Sequence, residues 1–268
     1  MKTIGLIGTG NMGAALISGM LKNGGAERYS YIAYDIDAQK LESFTKASGA
    51  AAAKDNAELV SRADVVILAV KPDMAAIALE QAKDEFNSGK LLVSIVLGLS
   101  LARISDLTGG AARYARCMPN TPALVSEGMT CVAMGDSATR DDHALVGALL
   151  GSVGKVEFLS EKYLEKVTAL TGSSPAYIFV LIEAMADAAV LSGLPRELSY
   201  RLASQAVLGS AKLALESGKH PGELKDMVCS PAGSTIEAIR VLEDKGFRSA
   251  VIEAMRACDL RALEISKK

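Results

Sequence analysis

Two short runs of small residues hold the groups with which this chain could do chemistry. The first, Gly8-Thr-Gly-Asn-Met-Gly13, follows the apolar run Thr3–Ile7 and opens an amphipathic stretch marked by Ala14, Leu16, Ile17, Met20 and Leu21. In a G-x-G-x-x-G loop between strand and helix, the first glycine permits a tight turn. The second admits a pyrophosphate to the backbone, and the third lets helix and strand pack closely. The helix start adds unpaired N–H groups and a partial positive charge for phosphate. A glycine-rich turn in an unrelated α/β protein is the alternative. The second run, Ser230-Pro-Ala-Gly-Ser-Thr235, gathers three hydroxyls and several N–H groups at the start of another helix. That composition suits a carboxylate or a phosphate. Ser234-Thr-Ile-Glu237 also fits a capping box, which accounts for Ser234 and Glu237 but not for the small residues Ala232 and Gly233.

Weaker candidates lie between these runs. Asp35 stands at the end of the second strand, 22 residues beyond Gly13, where an acidic group binds ribose hydroxyls and repels a 2′-phosphate. Taken alone it favours NAD over NADP, while Asp37 caps the following helix. Ala69-Val-Lys-Pro72 closes the strand Asp64–Val70 and faces a cofactor crevice if the sheet is parallel; a plain strand-to-helix stop explains it equally well. Met118-Pro-Asn-Thr-Pro122 is stiffened by two prolines, so Asn120 and Thr121 either hold a nicotinamide amide or belong to a rigid crossover. Glu183 and Asp187 share a helix face, but no His stands at helical spacing, so the pair reads as structural or interfacial. Nothing matches a metal site, a P-loop or a Ser–His–Asp triad.

The elements that must position these groups follow two rhythms. Apolar, β-rich runs at Lys2–Ile7, Ser30–Tyr34, Asp64–Val70, Leu91–Val96, Ala112–Cys117, Met129–Met134 and Val156–Leu159 alternate with helical patterns such as Ala38–Ala47 and Asp73–Asp84. Such alternation predicts βαβ units and a parallel sheet. From about Glu161 the β signal stops and helices follow, punctuated at Ser174-Pro175, Gly193, Leu194-Pro195 and Ser217-Gly218, with the last over Phe247–Ile265. The predicted fold is α/β: a Rossmann-like dinucleotide-binding domain over 1–160, then an all-helical domain over 161–268. The helix containing Ala203, Ala206, Val207, Leu208, Ala211, Leu213, Ala214 and Leu215 is apolar on more than one face. A bundle of about a hundred residues cannot hide so much, which predicts packing against another subunit.

Composition narrows the class. Half of the 268 residues are apolar and the net charge is −2, which argues against nucleic acid and anionic membranes as partners. The chain begins its first strand at once, leaving no room for a signal peptide. The longest apolar run, Tyr177–Leu191, is short of the roughly 20 residues that span a bilayer and carries two acids. Cys117, Cys131, Cys229 and Cys258 are far apart in sequence, indicating neither a disulfide framework nor a zinc site. The expectation is a soluble, reduced, cytoplasmic protein.

These motifs together resemble the pyrroline-5-carboxylate reductase family. The resemblance rests on Ile7-Gly-Thr-Gly-Asn-Met-Gly13, Ala69-Val-Lys-Pro72, Met118-Pro-Asn-Thr-Pro122, Gly172-Ser-Ser-Pro-Ala-Tyr177 and the long run His220–Thr235, and it covers essentially the whole chain. It implies reduction of the C=N bond of Δ1-pyrroline-5-carboxylate to L-proline by NADPH or NADH, the last step of proline biosynthesis. It implies an intertwined dimer of the helical domain, assembled further into a decamer. By the same resemblance Thr235 donates to the ring nitrogen, and Ser230 with the N–H groups of Gly233, Ser234 and Thr235 binds the carboxylate. The cofactor residues it implies are Ile7, Gly8, Thr9, Gly10, Asn11, Met12, Asp35, Asn56, Ala69, Val70, Lys71, Pro72 and Asn120. Hydride addition to an imine needs chiefly alignment within about 3–3.5 Å, so the lack of a catalytic His is unsurprising.

Three departures stand out. Val96-Leu97 replaces small residues after the fifth strand, which would alter the nicotinamide side of the pocket. Ala232-Gly233 replaces a Gly-Gly pair, and Ser173-Ser174 replaces Ser-Gly. Asp35 replaces a neutral residue common in NADPH-preferring members. Two rival readings are a β-hydroxyacid dehydrogenase, for which Lys166 is the available proton relay, and a non-catalytic dinucleotide sensor, which would not need the Ser230–Thr235 run.

Overall fold

A computed structural model describes residues 1–266. The first half builds an eight-stranded sheet from β1 (Lys2–Ile7), β2 (Tyr29–Tyr34), β3 (Ala51–Ala52), β4 (Val65–Leu68), β5 (Leu91–Ser94), β6 (Arg113–Met118), β7 (Gly128–Met134) and β8 (Gly154–Phe158). Their spatial order is β3-β2-β1-β4-β5-β6-β7-β8, parallel throughout except where β7 runs antiparallel to β6. The order reverses direction between β1 and β4, the switch point at which open α/β sheets bind ligands.

All four residues of β4 are buried, as helices on both faces of the sheet require. One layer of the core gathers Leu16, Ile17, Met20, Val146 and Leu149 on one face; Leu59, Leu79, Phe86 and Ile104 build the other. The two-residue strand β3 escapes sequence reading because it has no room for a period. β4 is shorter than its apolar run: the Asp64 carboxylate accepts from the Thr3 N–H at 2.7 Å, and Val70 has left the sheet.

The chain forms two compact units, Met1–Ser173 with the segment from Cys258 onward, and Ser174–Ala257. Residues 161–173 belong to the first unit for clear reasons. Leu164 is fully buried in a cluster with Met118 and Cys131. The buried Arg116 guanidinium pairs with Glu161 at 3.0 Å and with Glu165 at 3.4 Å, and the same Glu161 oxygen accepts from the Leu101 N–H at 2.8 Å.

The second unit consists of the helices Ser174–Leu191, Arg196–Ser217, Pro221–Val228 and Ser234–Asp244, and the first half of Phe247–Ser266. Gly193 and Gly218 turn the chain with φ of +95° and +62°, where the sequence places helix stops. Among the described residues of this unit only Ala186, Ser199 and Ala203 are buried, whereas Phe179, Leu191, Leu208, Leu215 and Ile252 are all more than half exposed. The helical stretch Thr168–Leu191 runs for 24 residues and is, by length and composition, apolar enough to cross a bilayer. The sequence reading fell short of this by starting the run at Tyr177. A π-helical turn over Thr168–Gly172 adds the missing length.

Candidate functional site

At the carboxyl end of β1 the chain turns sharply through Gly8, whose φ is +93°. A β-carbon there would lie 2.7 Å from the Ala69 carbonyl oxygen, so neighbouring backbone leaves no space for a side chain. A β-carbon on Gly13 would meet the Gly8 oxygen at 2.5 Å, which is the helix–strand approach expected of the third glycine. Gly10 differs: nothing lies within 4 Å of where its β-carbon would be. It caps the helix Asn11–Met20 without a side-chain hydrogen bond. The backbone is therefore open at the position where a pyrophosphate must approach.

Beside this loop lies a cleft of about 260 Å³ that brings together Ile7, Gly8, Gly10, Asp35, Asn56, Ala69, Val70 and Lys71 from four separate segments. Tyr34, Ile36, Met74, Ile77 and Gln81 line it too, and sequence reasoning missed them. For Tyr34, Ile36, Met74 and Ile77 an apolar side chain near a strand end or on a helix was the only signal, and for Gln81 there was none. The Asp35 carboxylate is held firmly: Oδ2 accepts from the Thr9 N–H at 2.7 Å and the Thr9 hydroxyl at 3.0 Å, and Oδ1 from the Asp37 N–H at 2.9 Å. Asp37 caps the next helix through Gln39 and Lys40 and pairs with the Lys40 ammonium at 3.3 Å. Hydrogen bonding from the Lys40 backbone, ahead of its charge, holds the Asp37 carboxyl below the usual range.

Asn56 is 3% exposed, and its Nδ2 donates to Gln81 Oε1 at 2.8 Å. Its Oδ1 is buried and has no hydrogen-bond partner. Such a group is costly unless a ligand satisfies it. An open Gly10, a glycine-tight turn and an unsatisfied amide in one cleft fit a dinucleotide.

Five expected residues are absent from the lining: Thr9, buried and bonded to Asp35, and four more. Asn11 borders a second groove with Lys22, Thr121 and Leu124. Met12 sits in the first turn of its helix, and Pro72 begins the helix Pro72–Glu80 in an exposed position. Asn120 does not line the cleft. Its Oδ1 accepts from the Met129 N–H at 2.8 Å and its Nδ2 donates to the Thr171 oxygen at 3.0 Å, which makes it the rigid crossover's fastening. Val96 and Leu97 are likewise absent from the lining: Val96 is core and Leu97 packs near Met118. Lys166 is exposed, its ammonium 5.8 Å from the Tyr163 ring centroid.

The Ser230–Thr235 run departs from the capping-box expectation. Gly233, not Ser234, is the residue before the helix Ser234–Asp244, and no side chain caps that helix. Glu237 turns the other way to Arg240, whose Nη2 it meets at 2.7 Å. The helix start is thus left without a side-chain acceptor. Gly233 is tied to Ser230 by its N–H to the Ser230 oxygen at 3.1 Å. A β-carbon on Gly233 would strike the Ser230 hydroxyl at 2.4 Å. Ala232 carries a φ of +57°, a left-handed conformation unusual for a residue with a side chain. Upstream, His220 is structural, its Nδ1 accepting from the Gly222 N–H at 3.1 Å to cap the helix Pro221–Val228. Asp187 is paired with Arg196, in keeping with a structural role for the Glu183–Asp187 face.

The family model for pyrroline-5-carboxylate reductase dimerisation matches residues 161–265. A second, for coenzyme F420-dependent NADP oxidoreductases, matches residues 3–98. The chain is 45% identical to the pyrroline-5-carboxylate reductase of Escherichia coli K12 over 99% of both chains. It is 43% identical to that of Methanosarcina acetivorans, over 99% of this chain and 98% of the other. Among solved structures, a Coxiella burnetii pyrroline-5-carboxylate reductase superposes with a TM-score of 0.91 at 36% identity, covering 100% of this chain and 99% of that one. A Plasmodium falciparum pyrroline carboxylate reductase with NADP bound gives 0.87 at 30% identity, over 99% and 98%. With relatives this similar from end to end, the chain belongs to the pyrroline-5-carboxylate reductase family.

Proposed function

We propose that this chain reduces Δ1-pyrroline-5-carboxylate to L-proline with NADH or NADPH, closing proline biosynthesis in the cytoplasm. The observation that carries the reading is the uncapped helix start at Gly233–Thr235 beside the Ser230 hydroxyl, in a chain similar to these reductases over its whole length. The bound cofactor supplies the hydride. Its pyrophosphate would fit the open backbone at Gly10; Ile7, Gly8, Asp35, Asn56, Ala69, Val70 and Lys71 line the same cleft, and Thr9, Asn11, Met12 and Pro72 are near neighbours of these residues in the chain. The N–H groups of Ser234 and Thr235 and the positive helix end suit the substrate carboxylate, with the Ser230 hydroxyl as a further donor and the Gly233 N–H, itself tied to the Ser230 oxygen, beside them. The Thr235 hydroxyl donates to the ring nitrogen, which grows more basic as hydride arrives at the neighbouring carbon.

We assign cofactor binding to residues 1–160 and dimerisation to residues 161–268. The exposed apolar side chains of the helical unit, including the long stretch Thr168–Leu191, suit a dimer seam, since obligate interfaces resemble a core cut in half. A decamer of five such dimers is the assembly proposed.

The test is direct. Purified protein is mixed either with pyrroline-5-carboxylate and NADH or NADPH, or with a 3-hydroxy acid and NAD+ or NADP+, and reduced-nicotinamide absorbance is followed. Loss of absorbance with the imine alone is the expected result. Turnover confined to hydroxy acids in the reverse direction, or none with any substrate, overturns the proposal.

A further inference from the structure

Two helix ends meet in the cofactor cleft through a single pair of amides. Asn56 is the first residue of the helix Asn56–Arg62, and Gln81 follows the last residue of Pro72–Glu80. Asn56 is almost fully buried and Gln81 is exposed, yet both line the cleft. The bond between them runs from Asn56 Nδ2 to Gln81 Oε1 at 2.8 Å. Since an amide side chain has one donor end and one acceptor end, this bond decides which end of Asn56 is left over. The remaining atom is Oδ1, buried and without a partner. A buried acceptor in a ligand cleft calls for a donor on the ligand. Phosphate oxygens have no proton to give at neutral pH, whereas ribose hydroxyls do.

A Gln–Asn pair can also bond the opposite way round, with the Gln81 NH2 donating to Asn56 Oδ1. That arrangement would leave the Asn56 NH2 over and would suit an acceptor instead. The orientation of Gln81 therefore determines the chemistry that Asn56 offers, although Gln81 need not touch the ligand itself.

We propose that Gln81 is a positioning residue: by accepting from Asn56, it fixes the Asn56 carbonyl oxygen as the acceptor for a ribose hydroxyl of the bound dinucleotide. The proposal rests on the dinucleotide reading of the cleft and adds a residue and a polarity to it.

The test measures binding without turnover. The full-length chain and its variants Gln81→Glu and Gln81→Met are titrated with NADH, using reduced-nicotinamide fluorescence, and the thermal midpoint is recorded with and without NADH. Glutamate at neutral pH can only accept, so it enforces the orientation found here; methionine cannot orient Asn56 at all. Gln81→Glu should bind NADH within twofold of the parent chain or more tightly, and Gln81→Met should bind roughly tenfold more weakly. The midpoints without NADH guard against a misfolded variant. Equal weakening in both variants, or Gln81→Met within twofold of the parent at an unchanged midpoint, overturns the proposal alone. Failure of the parent chain to bind NADH or NADPH overturns the dinucleotide reading with it.

Discussion

Thr9 gives both its backbone N–H and its hydroxyl to one oxygen of Asp35, at 2.7 and 3.0 Å. The residue between the first two glycines is thereby fastened to the end of β2, and the carboxylate that lines the cleft also shapes the loop. These two jobs can be separated. Asp35→Ser removes the negative charge and should raise the NADPH:NADH ratio of kcat/KM by about tenfold, about 1.4 kcal/mol, while weakening both cofactors by loosening the loop. Thr9→Ala loosens the loop but keeps the charge, so both cofactors should weaken with the ratio unchanged. Kinetics with each cofactor check this, and an unchanged ratio in Asp35→Ser refutes it.

In the proposed substrate loop, Ser230 and Thr235 should fail differently. Ser230→Ala should raise KM with little effect on kcat, since it removes ground-state binding. Thr235→Ala should lower kcat by roughly ten- to a thousandfold, the range of one lost transition-state donor, and Thr235→Ser should recover most of it. Steady-state kinetics decide the matter: kcat within twofold in Thr235→Ala shows that the ring nitrogen has another donor.

Ala232 sits at φ +57° next to Gly233. Left-handed backbone costs a side-chain-bearing residue about 1 kcal/mol or more, partly offset by the extra freedom glycine gives the unfolded chain. Ala232→Gly should therefore stabilise the protein by about 0.5–1 kcal/mol, read as a higher urea midpoint at unchanged slope. A lower midpoint would show that the turn tolerates alanine without strain.

Asp142 offers a pH test. Burial by itself would push its carboxyl up, but the Thr139 N–H and hydroxyl and the Arg113 guanidinium outweigh burial and hold it below the usual range. Arg113 Nε stands 2.8 Å from it. A depressed carboxyl contributes stability above its unfolded value, about 3.9, and loses that contribution as pH falls through the folded value. Asp142→Asn should cost about 2 kcal/mol at neutral pH. The gap to the parent chain should shrink as pH drops below about 4, and denaturation at several pH values measures it. A gap independent of pH would mean that the loss comes from packing and not from charge.

Legibility in the sequence tracked the distance between partners. The glycine loop, the strand preceding it and the stops at Gly193 and Gly218 are each marked by residue types within a few positions, and each was readable. Asn120 was not, because its two partners, Met129 and Thr171, are brought to it by β7 and by the segment after β8. Nor was the tie from Asn56 to Gln81, which joins the ends of two helices across a strand. Ser234-Thr-Ile-Glu237 shows that even a local pattern can mislead. A competing partner at the next turn, Arg240, takes the glutamate and leaves the helix start open.

The near-absence of buried side chains in Ser174–Ala257 turns stability into a matter of mass action. A unit that hides three small residues has little to hold it folded when alone, so folding and association become one equilibrium whose position depends on protomer concentration. Its apparent melting temperature should climb as the protein is concentrated. At sufficient dilution, activity should decay with the slow first-order course of subunit dissociation, and reconcentrating the protein in time should restore it.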